Sequence, residues 1–311
     1  MIAMKSEYHT PVLLQTCIEN LNIRPNGMYA DGTLGGGGHA EAILRQNDSC
    51  RVIALDADHD AVSESSKRLV PFGSRVIIEQ SNFRNLKQVL LKHHSRSVHG
   101  LLLDLGVSSY QLDQSDKGFS YRFDAPLKMQ MNDNESFGAY EIVNRYDEKQ
   151  LAEIFYRLGE EKNSRRIAKK IIESRMNKPI ETTLQLAGII ALTTPDRFAK
   201  KTMSRIFQAL RITVNDELNN LKKILEDAAA VLFPEGRLAV ISYHSLEDRI
   251  VKDFMRYESA DQLADDNFPE FTVSKKPRFR LVHRKPIRPT EEEIQNNPRA
   301  RSAKLRVAER I

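Results

Sequence analysis

Short apolar runs alternate with amphipathic stretches along the first hundred residues. Met28-Tyr29-Ala30, Arg51-Val52-Ile53-Ala54-Leu55, Val76-Ile77-Ile78 and Gly100-Leu101-Leu102-Leu103 are brief and mostly apolar, the second and third rich in β-branched residues. That pattern predicts four buried strands. Ala40–Leu44 and Ala61–Leu69, between them, read as helices. The alternation predicts an α/β fold with an open parallel sheet.

From about Asp113 to Thr213 the rhythm changes. Asp147–Leu158, Ser164–Arg175 and Thr183–Leu192 read as amphipathic helices. Leu151, Ile154, Phe155 and Leu158 recur at three- and four-residue spacing, and Ile167, Ile171 and Ile172 lie opposite Arg166, Lys169 and Lys170. Pro179 and Pro195 punctuate these helices. The expected organisation is a discontinuous α/β domain, residues 1–112 and 214–311, with an all-helical insertion at 113–213 that recognises substrate. A long helix is expected from about Ser204, with Phe207, Leu210, Val214, Leu218, Leu221, Leu225 and Ala228 on one face, stopping at Pro234-Glu235-Gly236. A fifth strand, Arg237–Ser242, then restarts the α/β domain, and Asp261–Pro269 reads as a loop.

The chain is 41% hydrophobic and 29% charged, which places it among ordinary globular proteins. No apolar run approaches the ~20 residues of a membrane span, and no signal-peptide pattern opens the chain. Cys17 and Cys50 have no metal-ligand spacing, so neither a zinc site nor a disulfide is expected, and the cytoplasm is the expected compartment. Charge changes the picture more. Residues 273–311 hold 12 Lys/Arg and four acids, a net +8 on a body of −3. Phe279, Leu281, Val282 and Ile287 interleave with these cations. Such a segment points to nucleic acid rather than to a merely solvated tail.

The candidate chemistry lies where the strands end. Asp31-Gly32-Thr33-Leu34-Gly35-Gly36-Gly37-Gly38-His39 joins the first strand to a helix. Glycine leaves no Cβ between backbone and ligand, and the helix start offers unpaired N–H groups to an anionic group. Gly35, Gly37 and Ala40 fit G-x-G-x-x-G/A, and Asp56 follows Gly35 by 21 residues, placed to take ribose hydroxyls. Asp58 reads as a helix cap. The third strand runs into Phe83 and the fourth into Asp104, both candidates to line the same edge. A P-loop is excluded, because Gly38 and His39 stand where Lys and Ser/Thr must be. NAD fits the loop, but Asp104 and the turn after it would occupy the place of a nicotinamide. S-adenosylmethionine fits better: its methionine carboxylate on the loop, ribose on Asp56, adenine against Phe83, and its sulfonium near Asp31 or Asp104.

His9–Leu14, Asp31–His39, Asp104–Asp113, Gly159-Glu160-Glu161, Phe207–Ile212, Ser242–Arg249 and Asn297–Ser302 together resemble the bacterial small-subunit ribosomal RNA methyltransferase H family. Tyr110 departs from the proline expected there. The resemblance implies a Rossmann-like class I S-adenosylmethionine-dependent methyltransferase with an inserted helical domain. It implies methylation of the N4 amine of a cytidine in the decoding region of small-subunit rRNA. It also implies that Gly37, Gly38 and His39 hold the methionine end, that Asp56 takes the ribose and Phe83 the adenine, and that Asp104 and Gln111 complete the pocket. The roles of Gln111 and His39 rest on the resemblance alone.

A cytosine amine needs positioning and a hydrogen-bond acceptor more than a strong base. Asp104, or a carbonyl of the Leu105–Val107 turn, is the candidate acceptor, and the target base must be unstacked to reach it. His244 reads equally as a functional or a turn residue, and Ser245-x-x-Asp248 as a capping box. Arg165, Arg166, Lys169 and Lys170 read as a solvated face. The expected partner is small-subunit rRNA, within an assembled or late-assembling subunit, with no membrane and with a homodimer as the candidate assembly. Two other readings are an NAD-dependent oxidoreductase and a non-catalytic RNA-binding assembly factor.

Overall fold

The computed structural model describes residues 11–107, 116–132, 135–264 and 272–311. They divide into two compact units, residues 1–106 with 218–311, and residues 107–217.

The first unit is built on one seven-stranded sheet. Its strands are β1 (Met28–Asp31), β2 (Arg51–Asp56), β3 (Val76–Gln80), β4 (Val98–Asp104), β5 (Leu232–Ser242), β8 (Phe279–Leu281) and β9 (Lys304–Arg310), in the order β3-β2-β1-β4-β5-β9-β8. Strands β1 to β5 pair in parallel, whereas β9 and β8 are antiparallel. Successive residues feed opposite cores. Tyr29, Val52, Ala54, Leu102, Ala239 and Ile241 face one, and Ala30, Ile53, Leu55, Leu101, Leu103 and Val240 face the other. Burial on both faces explains the near-continuous apolar runs. The chain winds outward from β1 to β3, then returns to β4 on the other side of β1. The crevice at the carboxyl ends of β1 and β4 is therefore the switch point where such sheets bind ligands.

The second unit is helical. Ala139–Arg145, Glu148–Arg157, Ser164–Arg175, Thr183–Ala191 and Asp196–Val214 pack around Leu151, Phe155, Ile167, Ile171, Leu186 and Ile206. Asp147 with Gln150, and Thr182 with Gln185, form capping boxes that start two of these helices.

Four expectations are corrected. The long helix expected from Ser204 is two helices, Asp196–Val214 and Glu217–Val231. Asp216 adopts φ 49° between them, and the Asn215 side chain donates to the Arg211 carbonyl. The apolar face continues across this break and hides it. Pro234-Glu235-Gly236 is not itself the helix stop: the helix ends at Val231, and the three residues lie inside β5, at an irregularity between the Val98–Leu232 and Gly100–Arg237 pairings. Gln262–Ala264 is not loop; this β6 pairs with β7 (Thr272–Ser274). The segment after residue 273 contributes β8 and β9 to the main sheet, which charge counting did not show. No helix among the described residues is long and apolar enough to cross a membrane.

Candidate active site

Strand β1 ends at Asp31, which is 1% exposed. Its Oδ1 accepts from the Thr33 N–H at 3.1 Å, while Oδ2 is buried without a hydrogen-bond partner. The loop that follows is fastened to the neighbouring strands. Gly32 N–H donates to the Leu102 carbonyl, Leu34 N–H to the Leu55 carbonyl, and Gly35 N–H to Asp56 Oδ2, all at 2.8–2.9 Å. Arg68 reaches across from the helix His59–Leu69 to the Gly36 carbonyl. Gly37 caps the helix Gly38–Gln46 at φ 76°, a left-handed conformation that a Cβ disfavours. A Cβ on Gly38 would collide with the Pro11 ring.

His39 follows at the helix start, buried. Its Nε2 lies 3.1 Å from the Val12 carbonyl, and its Nδ1 lies 3.9 Å from Asp104 Oδ2. Asp104 ends β4. Its N–H donates to Thr33 Oγ1 at 2.6 Å, and its Oδ1 accepts from the Tyr243 hydroxyl at 2.7 Å. Asp56 ends β2, accepting from Gly35 N–H and from Asp58 N–H. Asp58 caps the next helix by accepting from Asp60 N–H. Phe83, half-buried, opens a 3-10 turn after β3.

Burial is the leading cause of these carboxyls' raised pKa values, which reach about 7 for Asp31 and Asp104 and about 6 for Asp56. The Asp31 charge raises Asp104 further and the Asp56 charge raises Asp31, while the Tyr243 hydrogen bond opposes the rise at Asp104. Burial, then the Asp104 charge, pushes the Tyr243 phenol well above its usual value. No Lys or Arg pairs with these carboxyls among the described residues, and Asp31 Oδ2 is buried without a hydrogen-bond partner. A ligand that carries an ammonium or a sulfonium supplies what is missing, so the donor set fits S-adenosylmethionine.

The structure brings Gly37, Gly38, His39, Asp56, Phe83 and Asp104 to one sheet edge. Gln111 lies outside the described residues. Tyr243 was not foreseen as a site residue, since its partner Asp104 is 139 positions away. His244 is the helix cap: its Nδ1 accepts from Glu247 N–H, while Glu247 Oε2 accepts from the Tyr243 and His244 N–H groups. The capping box is therefore His244-x-x-Glu247, one residue earlier than expected. Asp248 instead pairs with Lys304 at 2.8 Å and Arg306 at 2.7 Å, partners supplied by β9.

Those pairs belong to a wider pattern in the basic segment. Arg278 and Lys275 pair with Glu258, Arg280 pairs with Glu309, and Arg310 donates to backbone carbonyls. Among the described residues, Lys276, Arg284, Lys285, Arg288 and Arg301 are exposed cations of this segment without such a pair, whereas Arg278 and Arg280 are exposed and paired.

The MraW methylase family model matches residues 6–311. The chain is 48% identical over 305 residues to the ribosomal RNA small subunit methyltransferase H of Carboxydothermus hydrogenoformans, covering 97% of this chain and 98% of that one. It is 45% identical over 308 residues to the protein of that name in Clostridioides difficile, covering 98% and 99%. A solved structure of an S-adenosylmethionine-dependent O-methyltransferase from Thermotoga maritima overlaps more distantly, at 10% identity and a TM-score of 0.43, over 99% of this chain and 68% of that one.

Proposed function

The chain belongs to the MraW methylase family, and from that premise we propose that it transfers a methyl group from S-adenosylmethionine to the N4 amine of a cytidine in the decoding region of small-subunit rRNA. It is an S-adenosylmethionine-dependent methyltransferase of small-subunit ribosomal RNA, and nothing in its residues favours an oxidoreductase or a non-catalytic assembly factor. The observation that carries the reading is the three-carboxylate edge, with Asp31 Oδ2 orphaned beside a glycine loop.

When bound, the cofactor supplies a methyl group on a cationic sulfur. In this reading Gly37, Gly38 and His39 line its methionine end, Asp56 takes the ribose, Phe83 lies along the adenine, and Asp104 and Gln111 complete the pocket. Asp31 offers Oδ2 to positive charge. Asp104 has a second role: its carboxylate, oriented by the Tyr243 hydroxyl and by Thr33 at its own N–H, accepts a hydrogen bond from the amine. That bond draws the amine toward tetrahedral geometry and aims its lone pair. The bound cofactor would supply its methyl group to this nitrogen, and Asp104 or water would take the proton that the nitrogen sheds. The substrate is an assembled or late-assembling small subunit, met in the cytoplasm by a homodimer.

Incubation of the protein with methyl-labelled S-adenosylmethionine and small subunits from cells lacking this enzyme tests the proposal. Nucleoside analysis should place label in N4-methylcytidine derivatives. Label in another nucleoside, or in naked RNA but not in subunits, removes the corresponding part of the assignment.

A further inference from the structure

The helix Asp196–Val214 buries Ile206, Phe207 and Leu210 in the helical core. On another side, Arg197, Lys200, Lys201 and Ser204 recur at three- and four-residue spacing, and all four are exposed. A strap, residues 121–125, is tied onto that side. The Tyr121 hydroxyl lies 2.9 Å from Ser204 Oγ and 3.5 Å from the Lys200 carbonyl, and its ring meets Phe207 edge-on at 5.4 Å. At the other end, Thr183 Oγ1 donates to the Phe123 carbonyl at 2.6 Å and accepts from Ala125 N–H at 3.0 Å. The strap backbone is thereby fixed, while Arg122 is exposed and Phe123 is 45% exposed. Phe198 is 49% exposed, with the Arg197 guanidinium 4.7 Å from its ring centre.

Several other cations of this unit have acidic partners, as in Arg205–Glu161, Arg211–Glu217, Lys170–Glu173 and Lys178–Glu181, although Arg165, Arg166 and Lys169 have none among the described residues. Arg122, Arg197, Lys200 and Lys201 have no ion-pair partner among the described residues. The acids adjacent in sequence are Asp124 and Asp196, and Asp196 occupies the first helical turn, where it complements the helix dipole. A merely solvated face would not need two large aromatic rings in water beside unpaired charge. Cations that meet phosphates, next to rings on which bases stack, are how proteins hold single-stranded nucleic acid.

We propose that the face formed by Arg122, Phe123, Arg197, Phe198, Lys200 and Lys201 grips an unpaired stretch of the substrate RNA. The inference rests on the reading of RNA as substrate and adds where the helical unit holds it.

The test uses the full chain and a fluorescein-labelled single-stranded RNA 20-mer, with anisotropy measured across a salt series. Arg197→Gln/Lys200→Gln/Lys201→Gln should weaken binding at least tenfold and reduce the salt slope by about 2, at roughly 0.7 per single-strand phosphate contact. Phe123→Ala/Phe198→Ala should weaken binding about tenfold with the slope unchanged. Binding of S-adenosylhomocysteine by calorimetry should stay at the wild-type value in both, which shows that the fold is intact. A triple variant with wild-type affinity and slope overturns the inference. So does a wild-type protein that binds phosphatidylglycerol vesicles but not the RNA. If the wild-type protein methylates subunits while the triple variant keeps its slope, only this inference falls; if the wild-type protein methylates no subunit, the substrate reading falls with it.

Discussion

The carboxyl edge of the sheet and the C-terminal basic segment carry equally conspicuous sequence signals, yet they are built in opposite ways. At the edge, Asp31, Asp56 and Asp104 arrive from three strands, and burial raises their pKa values to about 6–7. In the basic segment, Lys304 and Arg306 clamp Asp248, Arg278 clamps Glu258, and Arg280 meets Glu309. Much of that segment's charge holds β8 and β9 to the rest of the first unit. Function is marked by charge left unsatisfied where burial makes it costly, rather than by the abundance of charge.

The largest effect should come from the edge. Asp104→Asn should lower the single-turnover methyl-transfer rate by about 10²–10³, the scale for losing one oriented polar group at a reacting centre. A fall of less than threefold would return the acceptor role to a backbone carbonyl. The basic segment should respond in stability instead. Asp248→Ala strands Lys304 and Arg306, and because the cluster is partly exposed we expect about 2 kcal/mol of destabilisation in urea unfolding, below the range for fully buried pairs. Arg284→Gln/Lys285→Gln/Arg288→Gln should change stability by no more than about 0.5 kcal/mol, as exposed substitutions do. Equal effects of the two would erase the contrast.

Asp56→Asn should weaken cofactor binding about tenfold in calorimetry, the loss of one charge-assisted hydrogen bond. A smaller effect follows from protonation. A carboxyl whose folded pKa lies above its unfolded value keeps its proton longer when folded, so it stabilises at low pH and that contribution is lost as pH rises through the folded pKa. The cofactor-free protein should therefore lose urea stability between about pH 4 and pH 7, with Asp31→Asn flattening the change. Cationic cofactor favours the ionised carboxyls, so its binding should tighten over that interval and release protons, seen as a buffer-dependent enthalpy. The smallest effect should be that of Tyr243→Phe, a roughly threefold to tenfold loss of kcat/KM. Because the phenol favours ionised Asp104, its removal should move the acidic limb of the rate profile to higher pH.

Strands β1 to β4 were legible because a parallel strand covered on both faces is an apolar run between polar ends. The glycine loop and Asp56 were legible because their spacing is set by the strand and helix between them. β9 was not, although Leu305 and Val307 alternate with Lys304 and Arg306, because the charged half of that alternation read as an RNA-binding tail. The break at Asn215–Asp216 was hidden by an apolar face that runs across it. The sequence alone places the cap one residue late, because Asp248 fits the capping pattern as well as Glu247 does; only β9 shows that Asp248 serves Lys304 and Arg306. Tyr243 could not be paired with Asp104 without the sheet that joins β4 to β5.

The most direct measurement is a crystal structure of the full chain with S-adenosylhomocysteine. Ribose hydroxyls on Asp56, an amino group within hydrogen-bond reach of Asp31 Oδ2 and an adenine along Phe83 are the expected result. A ligand bound away from the ends of β1, β2 and β4, or one that leaves Asp31 Oδ2 without a partner, would contradict it.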